Sequence, residues 1–151
     1  MRPQIFSPAL ALLATTLAVL ALLGWALDIA PLKQGLASSV AMNPTTAFCL
    51  ALLGLEAIRM NILNDHGVLS KAGQLAVIVV IAASLSKLSD LIFGTSFAID
   101  QYLFSTKLNA EPIYPSRMAP NTAASLLLLG LAMQFMRGSA DSSVLKAHLL
   151  G

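Results

Sequence analysis

Residues 8–26 form a run of apolar and small side chains that contains no charge. At 1.5 Å of rise per residue such a run spans roughly 28 Å as a helix, close to the thickness of a bilayer's hydrocarbon core. A segment of this kind meets no water along its length, so it must satisfy its backbone N–H and C=O groups internally, which makes it a helix. The chain repeats the pattern. Residues 42–60, 72–93 and 118–136 are also predominantly apolar, and charges fall mainly between the runs. Only 11% of the 151 residues are charged and 57% are hydrophobic, against about 25% charged in an ordinary soluble domain. Too few polar groups exist to coat a water-soluble globule, and lipid is the expected solvent. A cleaved signal peptide is the competing reading of residues 8–26. The run is longer than an ordinary signal core, and residues 25–28 (Trp-Ala-Leu-Asp) make a poor cleavage site, so a retained first span is expected.

An internal duplication organises the rest. In residues 42–55 and 118–131, Met, Pro, Thr, Ala, Leu, Leu, Gly and Leu recur at the same offsets. Each copy opens on a proline, Pro44 or Pro120, suited to the first helical turn, where its missing N–H goes unused anyway. A glycine follows ten residues later, Gly54 or Gly130. The fold expected is an all-α integral membrane protein of four transmembrane helices in two parallel helical-hairpin repeats. Repeat 1 covers about 8–60, repeat 2 about 72–137, and 138–151 forms a cytoplasmic tail, all within one membrane domain. Two spans per unit give both copies the same orientation.

Lysine and arginine positions orient the chain. With the N-terminus inside, the inner side carries Arg2, Arg59, Lys71, Arg137 and Lys146, and the outer loops carry Lys33, Lys107 and Arg117. Five against three places both termini in the cytoplasm, in a cell inner membrane. Trp25, Tyr102 and Tyr114 would then form an outer aromatic belt.

Small residues at helical spacing point to close helix packing: Ala14 with Ala18, Ala47 with Ala51, and the matched Gly54 and Gly130. Lys87 and Asp90 share a helix face near the outer end of the third span, where an ion pair is expected. Glu56 has Arg59 as its expected partner. The two helix starts bring Asn43, Thr45 and Thr46 into correspondence with Ala119, Asn121 and Thr122. At the water boundary these are caps. Deeper, they would turn two sets of free N–H groups toward a shared cavity able to hold an anion or a quinone-like head group. Candidate ligand-binding residues are therefore Asn43, Thr45, Thr46, Asn121, Thr122, Lys87 and Asp90.

Other chemistries find little support. Cys49 is the only cysteine and sits in an apolar run, so an internal disulfide is excluded. His66 and His148 lie outside the runs, and neither is placed as an intramembrane haem ligand. No nucleophile–base set, phosphate loop or carboxylate metal cluster is present, so neither catalysis nor a metal is expected. A net charge of +2 without a basic tract excludes nucleic acid as a partner. Lipid, quinone or pigment contact between the helices would leave no signature in the sequence.

Residues 24–29 (Gly-Trp-Ala-Leu-Asp-Ile) and 42–47 (Met-Asn-Pro-Thr-Thr-Ala), with residues 99–104 (Ile-Asp-Gln-Tyr-Leu-Phe) and 117–123 (Arg-Met-Ala-Pro-Asn-Thr-Ala), resemble the N-terminal multi-span region of bacterial sensor histidine kinases. That region also precedes diguanylate cyclase modules. The shared signature is a doubled Met-x-Pro-Asn-Thr-Ala motif opening a leucine-rich helix. The likeness covers residues 23–135, and the first copy departs from it with Thr45 in place of asparagine. It implies a membrane input module that anchors, associates through its helices with itself or other membrane proteins, and senses a ligand. No output domain follows Arg137 in this sequence. The alternative is an accessory or scaffolding subunit of a respiratory or photosynthetic complex, and a small transporter stands third.

Overall fold

The computed structural model describes residues 7–34, 41–62, 68–95, 99–109 and 117–149. Among them every regular element is helical. The elements are α1 (Pro8–Leu27), α2 (Ala30–Gln34), α3 (Pro44–Ile62), α4 (Val68–Phe93), a 3-10 turn (Ile99–Gln101), α5 (Ser105–Asn109) and α6 (Pro120–Leu149). Three helices are long and apolar enough to cross a membrane: α1, α3 and α4. The segment expected as a fourth span lies in α6, which is absent from that set. Asn121, Gln134 and Arg137 dilute its apolar stretch.

Prolines open α1, α3 and α6, as the chain's helix-start signals require. The long helices run up, down, up and down. The end of α1 lies beside the start of α3, because the Trp25 indole N–H donates to the Met42 carbonyl at 2.7 Å. The end of α3 lies beside the start of α4 and the middle of α6, because Arg137 reaches both Glu56 and the Ser70 carbonyl. The most extensive interfaces are α1 on α3 and α4 on α6, while α3 also meets α4 and α6 and so holds the bundle together.

Both main interfaces close over small residues. A Cβ on Gly54 would overlap the Thr15 hydroxyl and stand 3.2 Å from the Ala11 carbonyl oxygen. One on Gly130 would meet Ile81 Cγ1 at 2.8 Å. Ala18, Ala47 and Ala51 are buried, and Ala14 is half-buried at the margin of the α1 contact. The buried stripe of α1 runs instead through Ala11, Thr15 and Ala18. The Thr15 hydroxyl donates to the Ala11 carbonyl at 2.7 Å, which hides a polar atom inside an apolar contact.

The main core joins Cys49 and Leu53 of α3, Val77 and Val80 of α4, and Met118, Leu126 and Met133 of the last segment. A second cluster sits where α1 ends, around Trp25, Ala41 and Leu108. Large apolar side chains outside these cores are exposed along α1 (Leu10, Leu13, Leu17), α4 (Leu75, Ile78, Leu85) and α6 (Leu128, Phe135). Such a surface is unfavourable against water and neutral against acyl chains.

One expectation changes. Trp25 does not join an aromatic belt: it is fully buried, because its N–H has a backbone partner and α2 and α5 close over its ring. Tyr102 is exposed, and Tyr114 lies outside the described residues. The expected tail after residue 137 is helical in its backbone as far as Leu149, since no proline interrupts the hydrogen-bond ladder there.

Replacing Gly54 with alanine should weaken the α1–α3 contact by about 1–3 kcal/mol, the usual cost of overpacking. The added Thr15→Ala change should recover most of that loss. Denaturant titrations of the single and double variants in detergent micelles would read the coupling directly.

Candidate functional site

The chain's polar chemistry gathers at the two ends of the bundle. At one end the organising residue is Asp100. It lies in the 3-10 turn between α4 and α5 and is 0% exposed. A carboxylate so enclosed is costly unless it is paired and hydrogen-bonded. Its Oδ2 accepts from the Lys87 ammonium of α4 at 2.9 Å and from the Met118 backbone N–H, just ahead of α6, also at 2.9 Å. Its own carbonyl accepts from Asn43 Nδ2 at 3.0 Å. One residue of a connecting segment thus ties together the start of α3, the last turns of α4 and the approach to α6.

Asn43 is the N-cap of α3. Its Oδ1 accepts the backbone N–H groups of Thr45 at 2.9 Å and Thr46 at 3.2 Å. Ala119 occupies the matching place before α6 and offers no side-chain acceptor. Asp100 supplies a carboxylate there instead, on the neighbouring Met118 N–H. Asn43 and Asp100 are both buried, so two helix starts rest on one polar network in the interior of the bundle end.

The proposed ligand residues therefore separate. Asn43, Thr45 and Lys87 belong to this network or border it. Thr46 is half-buried beside it. Asn121 is exposed and accepts the N–H of its neighbour Thr122 at 2.9 Å, and Thr122 is half-buried. The ion pair expected between Lys87 and Asp90 is made by Lys87 with Asp100. Asp90 accepts from the Thr95 hydroxyl at 2.8 Å. The longer reach is favoured because Asp100 is fully buried and needs the charge, whereas Asp90 is only half-buried. Three buried oxygens near this network have no hydrogen-bond partner: Asp100 Oδ1, Thr45 Oγ1 and Ser84 Oγ.

Around the network stand two further lysines. Lys107 of α5 donates to the Trp25 and Ala26 carbonyls at 2.7 and 2.8 Å, capping the open end of α1 with a positive charge. Lys33 of α2 pairs with Asp28 and lies 4.5 Å from the centroid of the Trp25 ring. Asp28 closes α1 in the left-handed conformation, φ 63°. The Lys33 hydrogen bond, and then its charge, hold the Asp28 carboxyl below the usual carboxylate range.

At the opposite end Glu56 of α3 is buried. It takes a bidentate pair from Arg59, Nε and Nη2 each at 2.8 Å, and a further pair from Arg137 of α6. Arg137 also donates to the Ser70 carbonyl at 3.0 Å. The Arg59 pairing follows from helical spacing. The Arg137 pairing, 81 residues away, does not. Gly73 of α4 permits the approach, since a Cβ there would collide with the Glu56 carboxylate.

Among the described residues no three metal-ligating side chains gather. Cys49 is a buried free thiol. His66 lies outside the described residues, and only the backbone of His148 is described, within α6. No family model, curated protein or solved structure matches this chain.

Asp100 was hidden from sequence reasoning by its place in a long connection. The available signal was an acidic residue inside an otherwise apolar and aromatic stretch, Ile99 to Phe104.

Asp100→Asn should cost about 3–5 kcal/mol of stability, because it leaves the Lys87 ammonium without its carboxylate. Lys87→Met in the same chain should restore part of it, as read by thermal unfolding in detergent. The Asp28–Lys33 pair has the opposite exposure and a smaller effect. Because the folded-state value of Asp28 is depressed, its contribution is present at neutral pH and fades as pH falls through that lowered value. The Tm gap between wild type and Asp28→Asn should accordingly close below pH about 4.

Proposed function

We propose that this chain is a non-catalytic membrane input module, built as two parallel helical hairpins with four spans and with both termini on the cytoplasmic side of a bacterial inner membrane. The observation that carries this reading is the continuity of α6. Asp100 holds the approach to that helix at one end of the bundle, Glu56 grips it through Arg137 at the other, and its backbone runs on unbroken to Leu149. A helix held at its start and again at its middle by buried polar networks moves as a unit, so a change at the Asp100 end is passed along its length. Such a device suits the sensor-kinase input region that the doubled motif resembles.

The pairing of α1 with α3 and of α4 with α6 supports the two-hairpin arrangement. So do Gly54 and Gly130, each ten residues after its proline and each at a tight contact with the partner helix. Each connection at the Asp100 end carries a five-residue helix with a lysine, Lys33 in α2 and Lys107 in α5. The stretch of α6 from Pro120 to Arg137 serves as the fourth span in this reading. Its buried stripe through Ala123, Leu126, Gly130 and Met133 faces the bundle, and its one charged member, Arg137, is paired with Glu56.

The test is to extract the protein from its native membranes in a mild detergent and measure the mass of what emerges. An input module should run as a small homo-oligomer with lipid. Stoichiometric recovery inside a large haem- or pigment-bearing complex would replace this reading with that of an accessory subunit.

A further inference from the structure

Asp100 Oδ1, Thr45 Oγ1 and Ser84 Oγ are buried without a hydrogen-bond partner, and helix geometry relates their positions. Gly73 of α4 stands against Glu56 of α3, and the two helices are antiparallel. Eleven residues back along α3 from Glu56 is Thr45, and eleven residues forward along α4 from Gly73 is Ser84. The rise is the same on both, about 16 Å, so Thr45 and Ser84 lie at one depth. Ser84 continues the buried stripe of α4 through Val77 and Val80. Lys87, one turn further along that stripe, reaches Asp100. On α3 the side chains lean toward the helix start, which carries Thr45 Oγ1 toward Asp100.

These atoms are deeply enclosed. Asp100 and Ser84 are 0% exposed and Thr45 is 4% exposed. Each unmet buried group costs about 1–3 kcal/mol, and Thr15 shows how easily a helical hydroxyl in this chain finds a carbonyl one turn back. Ser84, inside α4, leaves that option unused, and Thr45, in the first turn of α3, has no helical carbonyl one turn back. All three are oxygens, and Asp100 Oδ1 is a carboxylate oxygen with no donor on it.

We propose that Asp100 Oδ1, Thr45 Oγ1 and Ser84 Oγ form a site for a partly hydrated monovalent cation. Oxygen ligands of this kind suit hard cations. Charge balance is met by Lys87, whose ammonium is now on Asp100 Oδ2. It shares a helix face with Asp90, three residues on. When the cation enters, Lys87 moves to Asp90 and the cation takes its place as the counter-charge of Asp100. Lys107 is held by the end of α1 and Lys33 by Asp28, so neither lysine competes. The site stands on this buried geometry alone and holds whether the chain signals or serves as an accessory subunit.

The experiment is thermal unfolding of the purified full chain in detergent, with NaCl, KCl or LiCl exchanged for choline chloride at fixed ionic strength. The expected result is a saturable rise in Tm with one alkali cation. Thr45→Val and Ser84→Ala should each raise the midpoint concentration by about tenfold or more, equivalent to about 1.4 kcal/mol of binding. These two variants retain the Lys87–Asp100 pair, so they test the site without depending on Asp100→Asn folding. Equal Tm in every salt would overturn the proposal and leave water alone in the gap. A cation response unchanged in both variants would overturn it too, by placing the ion elsewhere.

Discussion

A buried carboxylate must be met by donors, and that requirement at Asp100 shapes one whole end of this protein. The residue belongs to no long helix, yet it receives the tip of α4 through Lys87 and the approach to α6 through Met118 N–H, and its carbonyl receives the cap of α3 through Asn43. Apolar contacts between helices in lipid carry no hydrophobic drive, because acyl chains are as apolar as leucine. Directional polar contacts therefore set which helix ends meet, and small residues set how closely the helices approach. The Gly54 and Gly130 contacts supply the second condition and the Asp100 network the first.

The opposite end repeats this logic with different residues. Glu56 is enclosed by Arg59 from its own helix and by Arg137 from α6, and Gly73 yields the room for it. Two such knots on one continuous helix explain how a bundle so poor in charge can hold a defined arrangement. They also give α6 two fixed points, with further helix beyond the second.

Much of this was legible in advance. The prolines at the starts of α1, α3 and α6 mark those boundaries, because proline's fixed φ and missing N–H suit a first turn. Glu56 with Arg59 was readable because their spacing lies within a single helix. What misled were contacts that cross the fold. Lys87 was expected on Asp90, three residues away, and its ammonium is on Asp100. Trp25 was expected at a membrane boundary, and α2 and α5 enclose it. A sequence reveals neighbours along a helix through its period and is silent on which loop returns to which helix end.

The chain's own order of residues determined that it folds into long apolar helices joined by more polar connections, since charge-poor runs of this length leave the backbone no other way to satisfy its hydrogen bonds. Tertiary structure alone decided that Asp100, Lys87, Asn43 and Met118 share one network and that Arg137 neutralises Glu56. Those meetings depend on the depth and facing of residues 13 to 81 positions apart. Such distances are fixed by how helices pack, and local spacing carries no record of them.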